Sequence, residues 1–350
     1  MQRIPSLDGL RAISISLVVL CHLNQWKHIS LPVMEPYGDL GVHIFFVLSG
    51  FLITKLLLEE HGRSSTISLR EFYVRRAFRI FPAALAFIAV ATAFYWHEIR
   101  WPHLATALFY VANMDVARPW IFGHLWSLSI EEQFYLLWPL ALKTWHRNRT
   151  AILLAVFFAT PIFRTALYAF HVRSGLAGSL PAYADQLAIG CLLALLAPRL
   201  PRVRAAWAAL MLAAMVLIPW YPANTQAGTI FMLFILRPLL SVSIAGVILH
   251  VIQVPYRALH WAPVVWLGKV SYSLYLWQEV FCSNNNLRLG YAAIPLALGA
   301  ASLSYYLVEQ PMLRLRDLRS TSQGGRSATP VTSAPQPAMA LSARGDSKTA

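Results

Sequence analysis

Apolar windows of about 20 residues, each long enough to cross a bilayer, recur along most of the chain and are broken by short polar stretches. Such windows fall near 10–27, 39–58, 79–97, 125–143, 150–170, 182–198, 204–220, 228–252, 262–282 and 290–309. The pattern predicts an all-α protein, a polytopic membrane bundle of about ten transmembrane helices. The stretch HLATALFYVANMDVA (103–117) is apolar but short, and reads as re-entrant or interfacial.

Composition sharpens this reading. The chain is 57% hydrophobic and 13% charged, where a soluble domain carries about 25% charged residues. Its net charge of +14 does not point to nucleic acid, because the positives sit between apolar segments, where topology signals belong. With ten spans and a cytoplasmic N-terminus, most Lys and Arg fall on the cytoplasmic side. Only Lys27, Arg100, Arg118, Arg164, Arg173 and Arg288 fall opposite. Making 103–117 a full span would invert every later loop and spoil that bias. Cys21, Cys191 and Cys282 form neither a disulfide framework nor a CxxC metal spacing. The opening MQRIPSLDG is too polar for a cleaved signal peptide, so the first span is expected to target the membrane. From about 317 the chain turns rich in Ser, Pro, Ala and Gly, which divides it into a membrane domain (1–316) and a disordered cytoplasmic tail (317–350).

Several residues are not explained by insertion alone. Arg11 and His22 lie in one apolar run. Eleven helical steps bring them back to one face, about 16 Å apart along the axis. A snorkelling arginine and a histidine satisfied by a neighbouring helix would fit as well. Asp8 lies on the same side, within pairing reach of Arg11. In REFYVRRAFRIFP (70–82), Arg75, Arg76 and Arg79 precede the third span, with Arg76 and Arg79 on one face. Guanidinium pairs grip phosphate, although positives here also anchor a cytoplasmic loop. Glu131 and Glu132 interrupt GHLWSLSIEEQFYLLWP, and each costs about 2–3 kcal/mol at mid-bilayer. They could serve as partners for a buried arginine such as Arg237. Gln278, Glu279 and Glu309 add polar groups on later spans. So many members imply a shared interior cavity.

Six segments in order carry a resemblance: SLDGLRAISISLVVLCH, GVHIFFVLSGFLIT, FYVRRAFRIFP, LWSLSIEEQFYLLWP, LGKVSYSLYLW and YLVEQP. Over roughly residues 4–316 the chain resembles acyltransferase family 3, integral-membrane enzymes that O-acylate sugars, lipopolysaccharide and peptidoglycan. The family's R-x10-H motif maps onto Arg11 and His22, and its RxxR motif onto Arg76 and Arg79. The resemblance implies an acyl-CoA, most often acetyl-CoA, whose phosphates meet Arg76 and Arg79 beside Arg75 on the cytoplasmic side. His22 would act as general base on the acceptor hydroxyl or carry the acyl group briefly. Arg11 would hold the cofactor or the developing charge, and Glu132 or Glu309 would orient His22 or the acceptor. Many members have His where this chain has Gln278. No metal is implied. The expected partners are membrane lipid, acyl-CoA and a carbohydrate or glycolipid acceptor, in a bacterial inner membrane. Trp120, Trp126 and Trp277 are candidates for stacking on a sugar, against the plainer role of interfacial aromatics. The alternative is a transporter of a small polar or anionic solute, which also needs intramembrane charges facing a cavity.

The charge asymmetry generates a test. Reporter fusions at residue 320 and in the 221–227 loop should give opposite compartment signals; equal signals would refute the ten-span count.

Overall fold

Proline at the first turn of a helix sacrifices no hydrogen bond, and Pro5 opens the first helix, α1 (Pro5–Gln25). The computed structural model describes residues 4–26, 29–172, 175–282 and 289–324, which are helical and contain no strand. Helix α2 (Gly38–Ser64) ends on Ser65 in the left-handed conformation (φ 56°), whose N–H returns to the His61 carbonyl at 2.8 Å. An S-x-x-E signature starts α3 (Leu69–Phe94), where Ser68 Oγ accepts from the Glu71 N–H at 3.4 Å. There follow α4 (Trp101–Leu108), α5 (Leu125–Thr144), α6 (Arg149–Ala169), α7 (Leu180–Leu196) and α8 (Ala205–Leu217). A π turn, Met232–Leu236, joins α9 (Gln226–Phe231) to α10 (Arg237–Gln253). After α11 (Ala262–Cys282), a second π turn, Tyr305–Glu309, joins α12 (Ala293–Ser304) to α13 (Gln310–Gly324).

Seven of these helical stretches are long and apolar enough to cross a membrane: Pro5–Gln25, Pro32–Ser64, Leu69–Phe94, Arg149–Ala169, Gly175–Arg199, Gln226–Gln253 and Gly290–Leu318. The expected spans near 125–143, 204–220 and 262–282 correspond to α5, α8 and α11. Ala205–Trp220 is apolar but shorter. Helices α5 and α11 carry Glu131, Glu132 and Gln133, and Lys269, Gln278 and Glu279. Both helices therefore carry ionisable groups that a hydrocarbon environment would leave without partners. Large apolar side chains such as Phe94, Phe158, Ile162 and Leu303 stand exposed on the outside of the bundle, the arrangement of a protein solvated by hydrocarbon. The chain is an integral membrane protein.

Helix α1 lies between α2 and α11, α2 crosses α7, and α7 packs on α6. Where α2 meets α7 the two backbones touch. A Cβ at Gly50 would run into the Leu187 carbonyl, and one at Gly190 into the Val47 carbonyl. Small residues permit such close approach in membrane bundles.

The segment 103–117 folds back into the protein. After α4, Tyr110 takes a positive φ of 54° and stacks its ring on Phe81, near the middle of α3, with centroids 5.5 Å apart. Its non-helical backbone finds partners there. The Ala112 N–H meets Ser129 Oγ at 3.2 Å, and the Tyr110 carbonyl accepts from Gln133 Nε2 at 3.0 Å. Buried backbone outside a helix needs such partners. At the other end, α13 continues through Gly324, past the position 317 where a tail was expected; residues 325–350 lie outside the described residues. So do Lys27, Arg173 and Arg288 of the charge count.

The helix crossing makes a stability prediction. Gly190→Val should lower the thermal midpoint in detergent by an amount equivalent to about 1–3 kcal/mol, the usual cost of overpacking. Gly62→Ala, on the same α2 but with nothing within 4 Å of its would-be Cβ, should be neutral or mildly stabilising.

Candidate active site

The residues of α1 organise two polar regions. Nearer its start, Arg11 lines a small cavity of about 50 Å³ with Ser49, Ser127, Glu131, Tyr272 and Tyr275. Glu131 accepts from Ser49 Oγ at 2.7 Å and from the Tyr135 hydroxyl at 3.3 Å. Beside it, Arg76 approaches Glu132 at 3.5 Å and lays its guanidinium over the Tyr135 ring, 3.6 Å from the centroid. Arg79 lies within electrostatic reach of Arg11, Arg76 and Glu309. Glu309 sits in the second π turn and accepts from Ser273, whose hydroxyl also meets Ser304. The structure thus gathers Arg11, Arg76 and Arg79 with Glu131, Glu132 and Glu309 from α1, α3, α5 and the π turn. Arg75 does not join them. Its guanidinium is held by Glu60 at 2.6 Å and Glu71 at 3.2 Å.

Farther along α1, His22 opens onto a chamber of about 510 Å³. Its Nδ1 lies 2.9 Å from Gln278 Oε1 and 3.3 Å from Glu279 Oε2. Two acceptor oxygens at one nitrogen assign the proton to Nδ1, which leaves the Nε2 lone pair free to take a proton. Gln278 in turn donates to Glu279 Oε2 at 3.0 Å. Neither Glu132 nor Glu309, the carboxylates expected to orient His22, touches the ring. Both lie in the arginine group, and Glu279 takes the orienting position. The amide of Gln278, at the position where many family members have His, is one of the two groups that hold His22.

Trp120 and Trp126 line the chamber, whereas Trp277 packs edge-on against Phe87 at 5.7 Å. Arg237 also lines the chamber, so it is not the partner of Glu131 or Glu132. Behind it, Arg164 is braced by Asp185 at 3.3 Å and by the Leu233 carbonyl of the first π turn at 2.9 Å. Tyr275 borders both the chamber and the Arg11 cavity, and its hydroxyl bonds Ser127 Oγ and the His124 carbonyl. Reading the sequence left Glu279 and His124 without roles. The signal was present: each is an ionisable group in or beside an apolar run.

Comparison with known proteins agrees with the motifs. A family profile described as "Acyltransferase domain" matches residues 4–308. The chain is a member of this acyltransferase family. Among curated relatives, the peptidoglycan O-acetyltransferase OatA of Listeria monocytogenes is 32% identical over 310 residues, which are 78% of this chain and 48% of that protein. The putative peptidoglycan O-acetyltransferase YrhL of Bacillus subtilis is 30% identical over 91% of this chain and 56% of its own length. The O-acetyltransferase OatA of Staphylococcus aureus is 30% identical over 88% and 57%. The chain therefore spans about half the length of these relatives. No solved structure matches it.

The ion pair at the centre of the arginine group yields a test of how the charges depend on one another. Arg76→Met strands the Glu132 carboxylate, whose side chain is 11% exposed, and should destabilise the purified protein by roughly 3 kcal/mol. Adding Glu132→Leu should restore most of the melting temperature. A single variant as stable as wild type would show that the pair carries no weight.

Proposed function

We propose that this protein transfers an acetyl group from cytoplasmic acetyl-CoA to a hydroxyl of a cell-envelope carbohydrate. The observation that carries the reading is His22, held through Nδ1 by Gln278 and Glu279, with no partner at its other nitrogen among the described residues, at a chamber of about 510 Å³. On the same helix, Arg11 leads to a second cationic site. A general base needs this arrangement: a partner that sets tautomer and orientation, and open space for the group that loses the proton.

Arg76 and Arg79, with Arg11, would receive the phosphates of the CoA and direct its thioester along α1. Guanidinium groups suit this task because they stay charged and bond phosphate in pairs. His22 Nε2 takes the proton of the acceptor hydroxyl as its oxygen attacks the thioester carbon. Collapse of the tetrahedral adduct breaks the carbon–sulfur bond, and the imidazolium returns its proton to the departing thiolate. Glu279 stabilises the imidazolium in between. Arg75, held by two glutamates, belongs to the cytoplasmic rim rather than to this path.

The Lys/Arg bias supports an inner-membrane protein with both termini in the cytoplasm, so that donor and acceptor approach from opposite sides. Among the glycans the resemblance suggested, peptidoglycan is the one that relatives' names carry. Membership in an acyltransferase family favours group transfer over solute transport.

The test compares three variants at matched membrane abundance. His22→Ala should reduce acetyl transfer by roughly 10²–10⁴-fold, and His22→Gln and His22→Asn should lose it as well, all with acetyl-CoA binding retained. Activity within a few-fold of wild type in either amide variant would remove His22 from the chemical step.

A further inference from the structure

A second histidine, its side chain fully buried, borders the chamber. His124 directly precedes α5 and is 3% exposed, yet neither ring nitrogen has a hydrogen-bond partner among the described residues. Buried polar atoms in native proteins are almost always bonded to protein or ordered water. The ring is held by packing instead, edge-on to Phe87 at 5.2 Å and inclined to Tyr275 at 5.4 Å. Its backbone is pinned as well, since the Tyr275 hydroxyl donates to the His124 carbonyl at 3.0 Å. Gly123, just before it, tolerates no side chain: a Cβ there would lie 2.8 Å from the Trp120 carbonyl and 3.2 Å from Glu279 Oε1. The segment is thereby pressed against Glu279. His124 Nδ1 stands 3.8 Å from Glu279 Oε2, too far for a hydrogen bond but near enough to favour the Nδ1–H tautomer.

Glu279 therefore lies beside two imidazoles. His22 and His124 both turn Nδ1 towards its Oε2, at 3.3 and 3.8 Å, and both line the same chamber. Two buried ring nitrogens without a partner among the described residues call for a partner that binds there.

We propose that His124 is an acceptor-binding residue whose Nε2 accepts a hydrogen bond from a non-reacting hydroxyl of the acceptor, beside the hydroxyl that His22 deprotonates. The site is then built for a polyhydroxylated ring rather than an isolated alcohol, and Trp120 and Trp126 in the same wall offer it aromatic faces. This inference rests on the acyltransfer reading above.

The experiment uses the full-length chain in detergent, radiolabelled acetyl-CoA and the cell-envelope glycan fraction of a strain lacking the protein. His124→Phe keeps the aromatic packing and removes both nitrogens. It should raise the apparent KM for the glycan fraction about tenfold, the worth of one hydrogen bond, with unchanged acetyl-CoA affinity and melting temperature. His124→Gln, which returns an acceptor oxygen, should recover part of that loss. An unchanged KM in His124→Phe, or a fall in kcat alone, would overturn the proposal. Absence of transfer by the wild-type protein would instead overturn the acyltransfer reading and this inference with it.

Discussion

Charge inside a bundle bathed in hydrocarbon has to be met by partners, because an uncompensated buried ion costs several kcal/mol. The rest of this structure follows from that constraint. Arg11, Arg76 and Arg79 share one region with Glu131, Glu132 and Glu309, and Arg164 is closed by Asp185. The two π turns take part in both arrangements. One presents the Leu233 carbonyl to Arg164, and the other contains Glu309. Widened helical turns of this kind concentrate at functional sites. Helices α5 and α11 bury polar groups, Glu131 and Glu132 in one and Gln278 and Glu279 in the other, so that face of each turns into the bundle.

The same constraint separates two environments along α1. At one level three guanidinium groups gather, suited to phosphate, beside three carboxylates. Eleven residues on, an imidazole is coupled to a carboxylate beside a roomy chamber. Tyr275 stands between them, bordering both cavities and bonded to Ser127 and the His124 carbonyl. On the proposed reading, this partition keeps donor recognition and acceptor chemistry in separate compartments joined by one helix. The 103–117 segment contributes from the side. Arg118 donates to the carbonyls of Asp115 at 2.8 Å and Gly123 at 3.2 Å, tying that segment to the turn that carries His124.

Much of this was legible in the sequence. A hydrocarbon core imposes helices of about 20 residues and forbids unpaired backbone, so the apolar windows marked the long helices directly. Helical periodicity placed Arg11 and His22 on one face, because contacts within a helix depend only on spacing. The motifs that suggested the family lie along the range its profile matches, residues 4–308, the last of them running across its end.

Which carboxylate meets which cation was not legible. His22 is partnered by Gln278, 256 residues away, whereas Glu132 and Glu309, equally plausible from their apolar surroundings, went to the arginines. The R-x-x-R spacing gave no sign that the neighbouring Arg75 would be taken by Glu60 and Glu71. The partners of 103–117 were likewise not legible: Ser129, Gln133 and Phe81 hold its turn, and none of them belongs to that segment. The sequence by itself determined what must be helical, what must be hidden and which residues were chemically out of place in lipid, since those follow from local composition and helix geometry. Tertiary structure decided the pairings, because a charge in a bundle takes the partner that helix packing brings within reach, and that packing depends on the whole chain.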